Sequence, residues 1–253
     1  WLGARALWLV AAARPRLVPL EELARAHGID VELLEGAELG RRQPWLAGGS
    51  SEAAVVHAAA GVIDPHAVAM ALMDRLRGRV ELGRGMAGLR VRSGKVVGVV
   101  LEDGEERDAD AVVIAAGAWA ASLGASGEAS LPLLPLRRHL MLLEPAELPI
   151  ASTPTVWDIE AEIYFRPESG GLLASPCDEQ AWLAEPPTTD PAALELLAAK
   201  LARLAPRLAS SRVKRAWACL RTFAPDRGPV LGRDPRLQGL AWTAGLGGFG
   251  MSV

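Results

Sequence analysis

The chain has almost no cysteine. Its 253 residues hold two, Cys177 and Cys219. They offer neither a disulfide framework nor a metal-ligand spacing, so a reduced core in the cytoplasm is expected. Histidine is scarce and dispersed: the four are His27, His57, His66 and His139. No His-Glu-x-x-His, Ser-His-Asp or paired-carboxylate pattern forms around them, which leaves a metalloenzyme or hydrolase without support and no metal site expected. Neither charge dominates. A net charge of −3 lacks the basic footprint of a nucleic-acid-binding surface. There is no long apolar run either. The longest uncharged stretch, Ala111 to Gly127, is broken by glycine and serine and falls short of the roughly 20 apolar residues of a membrane span. No charged region precedes an apolar one after Trp1, so no secretion leader is expected. Internal repeats and low-complexity tracts are absent as well.

What is present reads as a globular protein with a sizeable core: 50% of the residues are hydrophobic and 23% charged. A short helix is expected over Val18 to His27, with Pro19 in its first turn and Gly28 at its stop. A strand follows over Ala53 to His57. The clearest helix runs from Pro65 to Arg77, where Asp64 can cap it and Gly78 ends it. Val68, Leu72 and Leu76 give it one apolar stripe. The period then changes to two. Leu89 to Val91 and Lys95 to Leu101 flank a turn at Arg92-Ser93-Gly94, and Asp103-Gly104 marks a second turn. Ala111 to Ala115 is a continuous apolar run, as expected of a strand buried on both faces. Alternation over Leu136 to Leu143, Glu162 to Arg166 and Leu172 to Ser175 predicts an antiparallel sheet. Asp190-Pro191 opens a second helix with Leu194, Leu197, Leu201 and Leu204 on one side. Val213 to Phe223 and Leu240 to Thr243 read as the last strands.

Three separated segments carry more than structure. They are Gly61-Val62-Ile63-Asp64-Pro65, then Val112 to Trp119, then Ala224-Pro225-Asp226-Arg227-Gly228-Pro229-Val230-Leu231-Gly232 leading to Ala244-Gly245-Leu246-Gly247-Gly248-Phe249-Gly250. In this order they resemble the D-amino-acid oxidase superfamily of FAD-dependent oxidoreductases, which includes glycine oxidase, sarcosine oxidase and the D-amino-acid dehydrogenases. The resemblance spans nearly the whole chain, but its N-terminal strand, Gly-x-Gly-x-x-Gly loop and helix, which grip the FAD pyrophosphate, have no counterpart. The chain therefore reads as truncated at both ends. Residues 245 to 250 formally match Gly-x-Gly-x-x-Gly, yet the dinucleotide fingerprint needs a following helix and a distant acidic residue, and the chain stops three residues later.

The resemblance implies FAD as cofactor. It places the strand end Ala116, Gly117 and Trp119 against it. It makes Gly245, Gly247, Gly248, Phe249, Gly250 and Met251 a turn into a helix whose N-terminus faces the flavin, and it gives Met86 a main-chain contact with the adenine. It assigns the substrate carboxylate to Arg221, in Trp217-Ala218-Cys219-Leu220-Arg221-Thr222, and to Tyr164, in Ile163-Tyr164-Phe165-Arg166-Pro167. The planar fork of arginine suits a carboxylate. By residue type alone, a surface ion pair for Arg221 and packing for Tyr164 are the commoner uses. His139, in Pro135-Leu136-Arg137-Arg138-His139-Leu140, is a third substrate candidate. The sequence departs from the family pattern at Cys219 and Arg138, where the family has glycine.

The implied fold is α/β (α+β): a three-layer FAD-binding domain lacking its N-terminal Rossmann unit, interleaved with an antiparallel-sheet substrate domain. Residues 52–120 and 224–253 would form the partial FAD domain, and 1–51 and 121–223 the substrate domain. The implied reaction is oxidation of the C–N bond of an amino acid or secondary amine by hydride transfer to flavin, with no residue nominated as a catalytic base. Two alternatives stand beside it: a non-catalytic remnant that does not retain FAD, and a flavin dehydrogenase of a hydroxy substrate resembling glycerol-phosphate dehydrogenase. The expected partner is a small amine or amino acid, with no nucleic acid and no membrane span; oligomeric state is not readable.

Overall fold

The computed structural model describes residues 6–144 and 153–251; the two chain ends, Trp1 and Ser252-Val253, on which the truncation reading turned, lie outside them. In chain order the first elements are β1 (Leu7–Ala11), α1 (Val18–Ala26), β2 (Glu32–Glu35), α2 (Ala37–Arg42), β3 (Ala53–His57) and α3 (Pro65–Arg75). Next come β4 (Met86–Arg92), β5 (Lys95–Leu101), β6 (Glu106–Asp108), β7 (Val112–Ile114), α4 (Ala120–Ala125) and β8 (Leu134–Glu144). The remainder are β9 (Thr155–Asp158), β10 (Ile163–Glu168), β11 (Gly171–Ser175), β12 (Gln180–Ala181), α5 (Pro191–Leu204), β13 (Arg212–Phe223), β14 (Val230–Arg233) and β15 (Leu240–Ala244).

These elements divide into two compact units. The first comprises residues 1–64, 138–178 and 188–218, the second residues 65–137, 179–187 and 219–253. The first is a sheet in the order β8-β11-β10-β9-β1-β3-β2. All its neighbours are antiparallel except β1 and β9, which run parallel. Along β10 the even residues are half-exposed while Ile163, Phe165 and Pro167 are buried, the two-residue period of a sheet with one covered face. α5 covers that face. Asp190 accepts a hydrogen bond from the Ala192 amide at 3.0 Å and Pro191 occupies the first turn, so the helix starts where its orphan amides find an acceptor. Leu197, Leu201 and Leu204 then join Met141, Leu143, Phe165 and Leu172 in one core.

The second unit holds two small sheets, β4-β5-β6 and β14-β15-β7. The β4–β5 turn has both Ser93 (φ 51°) and Gly94 (φ 74°) in the left-handed region, the conformation whose twist matches that of a tight hairpin. Its core gathers Leu89, Val96, Ile114, Ala120, Leu237, Leu240 and Trp242.

Two expectations need correction. β7 is not buried on both faces: it is an edge strand, Ile114 points inward, and Val113 is 61% exposed. A short apolar run records hydrophobicity but not which neighbours cover it. The apolar stripe on α3 is likewise uncovered. Val68 is half-buried, Leu72 and Leu76 are exposed, and α3 buries no residue among those described.

Candidate functional site

In the second unit, β7 and β15 are parallel, with Ile114 opposite Trp242. Both strands therefore end at the same edge of their sheet. Three residues beyond each pairing position comes a glycine in the left-handed region, Gly117 (φ 52°) and Gly245 (φ 64°). A Cβ at Gly117 would meet nothing within 4 Å, so space lies open over that turn. Ala116 packs against the core, whereas Trp119, Phe249 and Met251 are exposed. The carboxyl ends of parallel strands are where α/β sheets place their ligands. Met86 sits at the start of β4 and packs against the core of this unit.

β15 is anchored by Asp234, which sequence reasoning missed. Its buried carboxylate accepts from the Trp242 indole at 2.9 Å, from the Arg236 guanidinium at 2.6 and 3.1 Å, and from the amides of Arg236 and Leu237. The Arg236 guanidinium, with Trp242 beside it, holds this carboxyl well below the usual carboxylate range although burial opposes the charge. The sequence signal was Asp234-Pro235-Arg236, a turn-forming aspartate just before a strand.

Arg221 lies near the end of β13, under the glycine turn. Its Nη1 donates to the Gly247 carbonyl at 3.3 Å. The turn is pinned beside it, with the Gly247 amide donating to the Thr222 carbonyl at 3.0 Å and Leu246 bridging to Phe223. Phe223 is buried, and the Arg227 guanidinium lies 4.2 Å from its ring centroid.

Tyr164 lies in the first unit, on the half-exposed face of β10. Trp157 stands directly across from it on β9 and is 41% exposed. The pair makes an aromatic platform on a face that also carries Arg166, which is ion-paired to Glu168 at 2.7 Å. Trp157 was not singled out from sequence, although Thr155-Val156-Trp157-Asp158 alternates in burial.

The third substrate candidate, His139, is held inside the first unit. It is 1% exposed. Its Nδ1 lies 2.6 Å from Asp178 Oδ2, and its Nε2 lies 2.9 Å from the Asp190 amide nitrogen. An amide only donates, so Nε2 is the acceptor and Nδ1 carries the proton. Both ring nitrogens are thus engaged within the first unit, joining β8 to the start of α5.

The model of the family described as FAD dependent oxidoreductase matches residues 4–253. This chain belongs to that family of FAD dependent oxidoreductases. Among curated relatives it is 30% identical, over 179 residues, to the mitochondrial pyruvate dehydrogenase phosphatase regulatory subunit of Mus musculus, covering 64% of this chain and 20% of that protein. It is 32% identical, over 225 residues, to the D-amino-acid oxidase of Bradyrhizobium diazoefficiens, covering 86% and 52%. Among solved structures it matches the glycine oxidase of Geobacillus kaustophilus with a TM-score of 0.81 at 25% identity, covering 96% of this chain and 66% of that one. The chain thus spans about a fifth and about half of those two curated relatives.

The family implies FAD, and the second unit's residues fit the ring end of that cofactor. The space over Gly117 is open, Trp119 beside it is exposed, and the Gly245–Gly250 turn follows the neighbouring parallel strand. Among the described residues no strand, glycine loop and helix of the pyrophosphate-binding kind is formed. No metal-binding cluster occurs among the described residues, and no described helix is long and apolar enough to cross a membrane.

Proposed function

We propose that this chain supplies the substrate-facing and flavin-facing parts of an FAD-dependent oxidoreductase that oxidises the C–N bond of an amino acid. The observation that carries the reading is the shared carboxyl edge of β7 and β15, where two left-handed glycines open the main chain and Arg221 lies under the second glycine turn. Family membership and the likeness to a D-amino-acid oxidase and a glycine oxidase support it. FAD, when bound, accepts the hydride. The chain's share is to hold and orient. Arg221 holds the substrate carboxylate through its fork of N–H donors. Tyr164, with Trp157 opposite it on β9, is the first unit's own candidate for a substrate contact. Ala116, Gly117 and Trp119 bear on the flavin from one strand end. Gly245, Gly247, Gly248, Phe249, Gly250 and Met251 bear on it from the other, and Met86 offers its main chain to the adenine. His139 is left out of this site.

The carbon bearing the nitrogen would give its hydride to bound FAD, and the nitrogen lone pair would close a C=N bond that water would hydrolyse to a carbonyl and an amine. A substrate entering as the neutral amine needs no side-chain base. Residues 52–120 and 224–253 take the cofactor side in this reading, residues 1–51 and 121–223 the substrate side. A cytoplasmic location goes with it, in keeping with two cysteines that set no disulfide framework.

The test is spectroscopic. After incubation with FAD and desalting, the full natural protein is expected to retain visible flavin absorption that bleaches when an amino acid is added without oxygen. One comparison favours a second reading: similarity to a regulatory subunit suits a protein that keeps this architecture without turnover. Retained flavin that no amine or amino acid bleaches is the outcome that would select it.

A further inference from the structure

We propose that Gly248 is a positioning residue: its bare Cα sets the guanidinium of Arg221, so that ordering the glycine turn and preparing the carboxylate site are one event. This deepens, and rests on, the reading of Arg221 as the carboxylate holder.

The turn closes directly on the end of β13. Gly248 has φ 114°, and a Cβ built there would collide with Arg221 Nη1 and come within 2.8 Å of its Cζ. The preceding carbonyl, Gly247, accepts from the same Nη1 at 3.3 Å. The Nη1 end of the guanidinium is therefore held between a glycine Cα and a main-chain acceptor. Underneath, a Cβ at Gly247 would fall 2.6 Å from Phe223 Cε1, so the buried Phe223 ring supports the turn from below. Phe223 is in turn backed by Arg227, which Glu179 grips at 2.6 and 3.1 Å. A long arginine side chain loses considerable rotamer freedom when it captures an anion. Holding it beforehand removes that cost at the moment of binding. Using Nη1 on the main chain anchors one end of a fork that has five donors.

The test is a double-mutant cycle in the FAD-loaded full protein, using Gly248→Ala, Arg221→Lys and the pair. Binding is measured by calorimetry with benzoate as the carboxylate probe and benzylamine as the probe without one. Gly248→Ala is expected to weaken benzoate about tenfold, the scale of one charged hydrogen bond, and to weaken benzylamine by much less. In the Arg221→Lys background it should add almost nothing, because the group it displaces is gone. Gly245→Ala is the comparison. Its φ is also positive (64°, against 114° at Gly248), but its Cβ would meet the Ala224 amide and Leu133 at 3.4 Å, not Arg221. Its effect should therefore add to that of Arg221→Lys. An equal loss for Gly248→Ala in both backgrounds overturns the positioning role while leaving Arg221 in place. Benzoate binding that Arg221→Lys does not change sinks the reading of Arg221 itself. If Gly248→Ala does not fold, Phe223→Leu takes its place, with the same non-additivity with Arg221→Lys expected and an additive effect overturning the proposal.

Discussion

Asp234 and His139 each carry several hydrogen bonds on one buried side chain, and both answer to a single substitution. The folded-state pKa of Asp234 lies below the ordinary aspartate value of about 3.9. A depressed carboxyl contributes stability that is complete above that ordinary value and is lost as pH falls below it. The thermal midpoint is therefore expected to drop on acidification below about pH 4. Asp234→Asn should flatten that part of the curve and cost about 2 kcal/mol at neutral pH, the range of a lost charged hydrogen bond. A midpoint with the same acid slope in Asp234→Asn would refute the assignment. At His139 the expected damage is to stability. His139→Phe removes the ring nitrogens that meet Asp178 Oδ2 and the Asp190 amide and should cost about 1–3 kcal/mol in denaturant unfolding. A changed KM with unchanged stability would restore it to the substrate site.

Among the elements, α5 and α3 show how differently two amphipathic helices can fare. α5 places Leu197, Leu201 and Leu204 into the core of the first unit, each at most 2% exposed. Leu201→Ala is expected to destabilise by about 3 kcal/mol through lost burial and the cavity left behind. A loss below about 1 kcal/mol would mean that the site collapses around the smaller side chain. α3 has Met70 at 51% and Leu72 at 54% exposure. Replacing both with Glu should change stability by no more than about 0.5 kcal/mol per site. The same composition thus predicts opposite costs, because burial and not hydrophobicity sets the penalty.

Across the whole molecule, uncovered apolar surface is concentrated in the second unit. Besides α3 it includes Leu82 at 75%, Val113 at 61% and Leu231 at 54% exposure. Contiguous apolar patches on a protein surface mark sites of contact with something else. The isolated 253-residue chain is expected to bind a hydrophobic fluorescent dye while folded, and the paired Met70→Glu, Leu72→Glu change should reduce that binding. A folded chain that takes up no dye would show that these side chains are dispersed.

The sequence by itself determined the elements whose cause is local. The alternation in β8, β10 and β11, the Ser93-Gly94 turn and the Asp190-Pro191 start of α5 were all legible, because period, turn chemistry and capping act over a few residues. The short strands β2, β9 and β14 were not, since partners distant in the chain stabilise them. The candidate site divides in the same way. Arg221, Tyr164 and the glycine turn could be named from the family pattern in the chain. Trp157 could not, because only strand pairing puts it opposite Tyr164. Nor could Asp234, whose indole and guanidinium partners meet only after β15 has paired. The partners of His139 are not legible either: residue type says that an imidazole can meet a ligand, whereas Asp178 and Asp190 arrive from 39 and 51 residues away. Local rules write the strands and turns into the sequence; tertiary structure decides which polar groups are already satisfied by one another and which are left facing a ligand.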